Sequence, residues 1–178
     1  GLCLMMEAWA DESIGLNARK AMIGAFNQHP NFRTSLLTIS TPELVKTVVG
    51  SVPGDLLSLL GAGAGFGPDA VKSATDILRQ DLEALCLILG TQPYLCGDEP
   101  TLADFAVAGL SMYMKFPTAL YVDLPVGIGG KGVPGLVDAP EFAAFWEWRD
   151  RLYQDFRKPR TGPTASAPSS GPVSIGID

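Results

Sequence analysis

Residues 93–105 read Pro-Tyr-Leu-Cys-Gly-Asp-Glu-Pro-Thr-Leu-Ala-Asp-Phe, and this stretch decides the fold of the chain. Thr101 stands where an N-cap residue accepts a hydrogen bond from the amide of the third helical residue, and Asp104, at that third position, can return a bond to the Thr101 amide. This reciprocal pair is a capping box, so we predict that a helix begins directly after Thr101. Phe105, at the fourth helical position, is expected to close over Pro100 as a hydrophobic staple.

The helix that follows this cap carries no charge over residues 106–110, which read Ala-Val-Ala-Gly-Leu. A helix that is apolar on all sides is typical of the interior of a bundle. We therefore predict a central apolar helix. For Thr101 and Asp104 we expect a structural role in starting it.

Helical periodicity and helix-start signals predict further helices before this one. Apolar residues recur at nearly helical spacing over residues 2–26, interrupted at Gly15, which indicates one long or kinked helix. Ser40 as an N-cap, with Pro42 in the first turn, predicts a helix from about residue 41. Pro53 should split that helix, because proline removes a helical hydrogen bond and crowds the preceding turn.

The clearest amphipathic segment is residues 68–89, whose apolar side chains form one stripe that ends at Gly90. Residues 117–135 are rich in Gly and Pro and predict a long loop. The last helix should follow Asp138 as a cap and span roughly 139–156. Its buried side is expected to hold Phe142, Phe145, Trp146, Leu152 and Phe156.

The pattern of the whole chain predicts an all-α fold, because no segment alternates apolar and polar residues with a period of two. We expect a bundle of five to six helices around the central apolar helix, formed by residues 1–158 as one domain. Residues 159–178 are mainly Pro, Ser, Thr and Gly. Such a composition buries too little apolar area to offset the entropy of ordering, so a mobile tail is predicted there.

Composition narrows the classes of function. The 178 residues are 47% apolar and 18% charged, which fits one domain with a sizeable core. The net charge is −6 and the 13 basic residues form no cluster, so we expect no nucleic-acid partner. No apolar run approaches the roughly 18 to 20 residues of a membrane span, so no membrane is expected as a partner. Residues 1–6 lack the basic flank of a signal peptide, which predicts a cytoplasmic localisation.

The sequence offers few groups for catalysis or metal binding. His29 is the only histidine, and the three cysteines are not spaced in pairs. Neither a structural zinc site nor a histidine-assisted nucleophile is therefore expected. The glycine run over residues 61–67 follows a leucine-rich helix rather than a strand, and residues 129–132 lack the spacing of a phosphate-binding loop. We assign no catalytic residue and no metal ligand.

The capped apolar helix, preceded by residues 94–97 (Tyr-Leu-Cys-Gly) and an amphipathic helix, resembles the C-terminal helical domain of glutathione transferases. Residues 7–12, Glu-Ala-Trp-Ala-Asp-Glu, resemble the first helix of that domain, and residues 146–150 are compatible with its end. The resemblance covers about residues 2–158. It is most specific to cyanobacterial members, some of which carry a similar Pro/Ser-rich tail.

This resemblance implies a second domain, because in the family a thioredoxin-like N-terminal domain binds glutathione and lowers the pKa of its thiol. The thiolate is the nucleophile of the reaction. Nothing in residues 1–178 reads as that domain, so the resemblance implies it as an absent partner, with glutathione as the cosubstrate of the full-length protein and no cofactor in this chain. Cys3 is not the catalytic cysteine of the family, since that residue belongs to the other domain. Family members commonly form homodimers, and a homodimer is expected here.

The family also implies which residues line the electrophile pocket. By position these are Met5, Trp9 and Tyr113, although packing in the interior is the alternative interpretation of each. One hypothesis is that the chain is the electrophile-site domain of an enzyme that conjugates or reduces small hydrophobic electrophiles. A second is a noncatalytic scaffold for dimerisation or docking, and a third is a helical protein that binds small ligands without glutathione.

Overall fold

The computed structural model describes residues 1–37 and 41–160, and over these residues the chain is built from helices. The eight α-helices are α1 Leu2–Trp9, α2 Leu16–Gln28, α3 Pro30–Ser35, α4 Glu43–Ser51, α5 Gly54–Ala62, α6 Pro68–Leu89, α7 Leu102–Leu110 and α8 Ala143–Phe156. Within that part of the chain there is no strand, and the β-type pairs are two isolated bridges, Tyr94 with Gly97 and Lys115 with Gly132. The predicted all-α class is confirmed.

A π-helical segment, Ala10–Gly15, joins α1 to α2, so residues 2–28 form one continuous helix. With that helix counted once, residues 1–37 and 41–160 contain seven α-helices, one more than the upper limit of six predicted from the sequence. The additional helix is α3. It lies in the stretch where the sequence predicted turns, and its Pro30 occupies a first-turn position at which proline costs no hydrogen bond.

Small residues bring α2 close to α6. Ala18, Ala21 and Ala25 on α2 are buried, and a Cβ at Gly24 would overlap the side chain of Val71 on α6. The α6 side of the contact is a buried stripe, consisting of Ala74, Leu78, Leu82 and Leu85. The amphipathic helix therefore has the bounds predicted from the sequence and buries most of its apolar stripe, although Ile77 of that stripe is 37% exposed.

The capping box at the start of α7 is present as predicted. The Asp104 side chain has 0% exposure, and its Oδ2 accepts from the Thr101 amide at 2.8 Å and from the Thr101 hydroxyl at 2.8 Å. Its Oδ1 accepts from the Leu95 amide at 2.8 Å, a bond that the sequence did not predict. One carboxylate thus holds both the first turn of α7 and the turn before it.

The first turn of α7 is partly open to solvent, whereas residues 106–110, predicted to lie inside the bundle, include no exposed residue. Leu102 is 54% exposed and Phe105 is 44% exposed, while Ala103, Val107 and Ala108 face the core. The Phe105 ring lies edge-on to Phe156 of α8, with 5.5 Å between the ring centroids. Its expected contact with Pro100 stays a prediction.

α4 and α5 form a bent pair that contributes no buried residue. The predicted split at Pro53 is confirmed: α4 ends at Ser51, α5 begins at Gly54, and the two axes meet at 72°. The predicted cap residue Ser40 and the tail from residue 161 lie outside the described residues. Among residues 1–37 and 41–160, no single helix has both the length and the hydropathy needed to cross a membrane.

The last helix begins differently from the prediction. A 3-10 turn, Pro140–Phe142, precedes α8, and Asp138 does not cap it. Instead, Asp138 Oδ1 accepts from the Gly135 amide at 2.6 Å, which closes a turn in the preceding loop. Four of the five expected core side chains are buried, but Phe156 is 51% exposed because it lies at the open end of the helix.

The long loop between α7 and α8 folds back on itself. The Phe116 amide donates to the Lys131 carbonyl at 2.8 Å, and the Val133 amide donates to the Met114 carbonyl at 2.8 Å. A Cβ at Gly132 would overlap that Met114 carbonyl, so glycine is required at this close approach. The buried guanidinium of Arg149 donates to the Lys115 carbonyl at 2.7 Å and ties the loop to α8.

Replacing Asp104 with Ala is expected to lower the free energy of unfolding by about 3 kcal/mol, because the cap is lost and the buried Leu95 amide is left without an acceptor. Thr101→Ala should cost only about 1 kcal/mol. Urea unfolding followed by circular dichroism measures both. The control is Asp98→Ala, an exposed carboxylate in the same turn, and equal losses in the Asp98 and Asp104 variants would contradict the role of the cap.

Candidate functional site

A surface groove of about 490 Å³ runs along the outer face of the long N-terminal helix and meets α6. We call it the α1–α6 groove. Its lining residues are Met5, Ala8, Trp9, Glu12, Ser13, Asn17 and Ile77. Two other clefts are smaller: one of about 240 Å³ beside His29 and Lys72, and one of about 320 Å³ beside Lys115 and Trp146.

The groove brings together two of the three pocket residues expected from the sequence. Met5 is 71% exposed at the rim, and Trp9 is half-buried, packed against the core on one side. Tyr113 is not among the lining residues. It ends a 3-10 turn after α7, and the guanidinium carbon of Arg19 lies 5.1 Å from the centroid of its ring.

The lining of the groove combines apolar and polar side chains. Ile77 of α6 lines the groove together with Met5, Ala8 and Trp9, and these four are its apolar side chains. Ser13 and Asn17 are polar members of the lining, and the Asn17 amide donates to the Ser13 carbonyl at 2.9 Å. A small apolar molecule with one polar group would find partners for both of its parts here.

Ser13 connects the groove to an acidic residue on α6. Its hydroxyl donates to Asp81 Oδ2 at 2.6 Å. Burial raises the pKa of the Asp81 carboxyl above its ordinary value, and the bond from Ser13 opposes part of that effect. Ser13 belongs to the π-helical segment, and wider turns of this kind often occur at functional sites.

Sequence reasoning missed Ser13, Asn17, Ile77 and Asp81. Ser13 and Asp81 are 68 residues apart, and a local pattern carries no signal for such a pairing. Met5 and Trp9 were reached only by their position in a family. The interruption of periodicity at Gly15, the last residue of the π-helical segment, was the one local sign of an irregular helix.

The charges of the groove limit the ligands that it can hold. Glu12 is the only ionisable side chain among the lining residues, and no Lys or Arg lies there. An anionic group would therefore meet no cationic partner in the groove. Among residues 1–37 and 41–160, no three His, Cys, Asp or Glu side chains are placed so that they could hold a metal ion.

Comparison with known proteins identifies the second half of this helical domain. Residues 68–151 match the family model described as glutathione S-transferase, C-terminal domain. The match spans α6, the capping box, α7, the long loop and most of α8. Residues 68–151 are therefore similar to the C-terminal domain of glutathione transferases, and the resemblance inferred from residues 93–105 is confirmed.

The search of curated proteins and the search of solved structures give no match to this chain. Of the residues that line the α1–α6 groove, only Ile77 falls within the matched segment. The special likeness to cyanobacterial members stays a prediction.

Replacing Asp81 with Asn is expected to stabilise the protein at neutral pH. Because the pKa of Asp81 is raised in the folded state, its contribution to stability is complete below the ordinary value of 3.8 and is lost as the pH rises through the folded-state pKa. Asn keeps an acceptor for Ser13 and never ionises. The advantage of Asp81→Asn over the wild type should therefore be present at pH 7 and vanish below pH 3.8.

Urea unfolding at the two pH values measures this difference. Glu83→Gln, which removes an exposed carboxylate from the same helix, is the matched control. The same advantage for Asp81→Asn at both pH values would show that ionisation of Asp81 is not its cause.

Proposed function

We propose that this chain is the helical electrophile-site domain of a glutathione transferase-like protein, which conjugates or reduces small hydrophobic electrophiles with glutathione. The observation that carries the proposal is the α1–α6 groove. It offers the apolar walls of Met5, Trp9 and Ile77 on a chain whose residues 68–151 match the C-terminal domain of the family. Burial of an apolar electrophile against these side chains would supply its binding energy.

The charges of the groove support separate binding sites for glutathione and for the electrophile, on two different domains. Glutathione carries two carboxylates, and the lining of the groove has one acidic side chain and no basic one. Such a surface suits the electrophile rather than glutathione. We therefore propose that a thioredoxin-like domain binds glutathione and activates its thiol, while this chain forms the opposite wall.

The bent helix pair supports a noncatalytic scaffold as a second candidate. α4 and α5 bury none of their residues, and six of their large apolar side chains are exposed: Leu44, Val45, Val48, Leu56, Leu59 and Leu60. Exposed large apolar side chains in this number favour contacts with other proteins. In this alternative the domain serves dimerisation or docking, and the groove has no substrate.

Binding of an electrophile in the groove is tested by titrating the chain with 1-chloro-2,4-dinitrobenzene and following quenching of tryptophan fluorescence. Trp9 lines the groove, whereas Trp146 and Trp148 are buried, so Trp9→Phe should remove most of the quenching. Ile77→Asp places a charge on the apolar wall and should raise the Kd about tenfold, which corresponds to about 1.4 kcal/mol. Leu87→Asp, on the exposed side of the same helix, is the control. Equal affinity of the Ile77 and Leu87 variants would exclude the groove as the binding site.

The enzyme and scaffold hypotheses predict different results in experiments with glutathione. Residues 1–178 alone should give no conjugation of 1-chloro-2,4-dinitrobenzene with glutathione, and turnover by this chain would overturn the proposed division of labour. If the gene encodes a thioredoxin-like segment before Gly1, the longer product should be retained on glutathione-agarose and show turnover. A longer product without retention or turnover would favour the scaffold.

A further inference from the structure

A cleft of about 320 Å³ is lined by the long loop and the start of α8, and a lysine side chain belongs to its lining. Lys115 and residues 137–140 contribute from the loop and the 3-10 turn, and four residues of α8, among them Trp146, contribute from the helix. The cleft shares no residue with the α1–α6 groove. It is therefore a second candidate site, and its chemistry depends on the lysine.

The Lys115 side chain is half-buried and its amine has no carboxylate partner. Within residues 1–37 and 41–160 it takes part in no ion pair. Its Nζ lies 5.1 Å from the centroid of the Trp146 ring, and the guanidinium carbon of Arg149 lies 4.8 Å from the same centroid. The amine thus shares one aromatic ring with a second cationic group.

The like charge of Arg149 opposes protonation of Lys115. The Arg149 side chain is 1% exposed and donates to the Lys115 carbonyl at 2.7 Å, which holds it beside the lysine backbone. Burial, and then the charge of Arg149, lower the pKa of the Lys115 amine below its ordinary value, although Asp150 acts in the opposite direction. A larger share of this lysine is therefore the neutral amine, which is the nucleophilic form.

We propose that Lys115 and this cleft form a covalent binding site for small hydrophobic aldehydes, which condense with the lysine amine to an imine. The volume of the cleft suits a small molecule, and part of its lining is apolar. The apolar residues besides Trp146 are Val137, Ala139, Pro140 and Ala143. The site requires neither glutathione nor a second domain.

The charges of the lining favour an aldehyde over a reagent that leaves an anion on the lysine. Asp138, Glu147 and Asp150 belong to the lining, and the Trp146 ring lies beside the amine. A protonated imine is a cation, which the carboxylates and the face of the indole ring stabilise. A carbamate formed from carbon dioxide would instead place a negative charge near these carboxylates. The lining therefore matches the product of an aldehyde.

The proposed reaction is a condensation without transfer of electrons to or from an oxidant. The Lys115 nitrogen adds to the carbonyl carbon of the aldehyde, and a proton passes from the nitrogen to the carbonyl oxygen. The carbon–oxygen bond of this carbinolamine then breaks, and the oxygen leaves as water with the second proton of the amine. One amine and one aldehyde thus become one imine and one molecule of water.

Lys72 provides an internal comparison in the unmodified chain. It is exposed, its Nζ lies 2.9 Å from Asp76 Oδ2, and its hydrogen bond with Asp76 raises the pKa of its amine. Competitive acetylation by acetic anhydride across a pH series should give a titration midpoint for Lys115 below that for Lys72. Equal midpoints would contradict the role of Arg149 and of burial, and with it the assignment of Lys115 as the reactive amine.

The decisive experiment exposes the full 178-residue chain to benzaldehyde at pH 7 with sodium cyanoborohydride, which reduces an imine to a stable secondary amine. Peptide mass spectrometry separates the adduct at Lys115 from those at the other lysines and at the amino terminus. Lys115 should be modified at least about tenfold faster than Lys72. Lys115→Arg should lose the fast adduct and Lys72→Arg should keep it. Equal rates at the two lysines of the unmodified chain would overturn the proposal without any substitution.

Adjacent alanines separate binding in the cleft from reactivity of the amine alone. Ala143 and Ala144 are both exposed at the start of α8, and only Ala143 lines the cleft. The rate at Lys115 should saturate with benzaldehyde, and Ala143→Leu should raise the half-saturating concentration at least about threefold, whereas Ala144→Leu should leave it unchanged. Modification by formaldehyde, which needs no cleft, should be equal in both variants.

Circular dichroism of each variant shows whether it is folded, and only folded variants are compared. The same dependence on benzaldehyde in the Ala143 and Ala144 variants would show a reactive lysine outside any binding site, which refutes the proposal. Neither result would bear on binding in the α1–α6 groove, because no groove residue takes part.

Discussion

A carboxylate without exposed surface stands at the start of the central helix, and burial of a charge is unfavourable unless its oxygens are fully hydrogen-bonded. Asp104 meets this requirement by accepting from the amides of Leu95 and Thr101 and from the Thr101 hydroxyl. The bonds to Thr101 fix where α7 begins, and the bond to Leu95 fixes the turn before it.

The far end of α7 is held by a second set of polar contacts with the backbone. The Ser111 hydroxyl donates to the Ala108 carbonyl at 2.8 Å, and the Tyr153 hydroxyl of α8 donates to the same carbonyl at 3.1 Å. α8 is in turn tied to the long loop through Arg149 and the Lys115 carbonyl. The segment matched to the transferase domain is thus a set of helices and a loop organised by hydrogen bonds that start from both ends of α7.

Features with local causes were predictable from the sequence. A capping box needs two residues three apart, an amphipathic stripe needs one helix, and a proline breaks the helix that contains it, so α6, α7 and the split at Pro53 could be predicted. Asp138 shows the limit of this reasoning, because its carboxylate had a nearer amide at Gly135 and did not cap α8. The candidate site was harder to predict from the sequence, because the hydrogen bond between Ser13 and Asp81 depends on how two separate helices pack.

The π-helical segment allows one continuous helix to pack against two different neighbouring helices. Each residue of an α-helix turns the chain by about 100°, so one extra residue in a turn rotates everything after it by about that angle. α1 packs against α7, and α2, beyond the wide turn, packs against α6. The chain therefore changes its packing partner without a break in the helix, and the change from one interface to the other falls in the π-helical segment that contains Ser13.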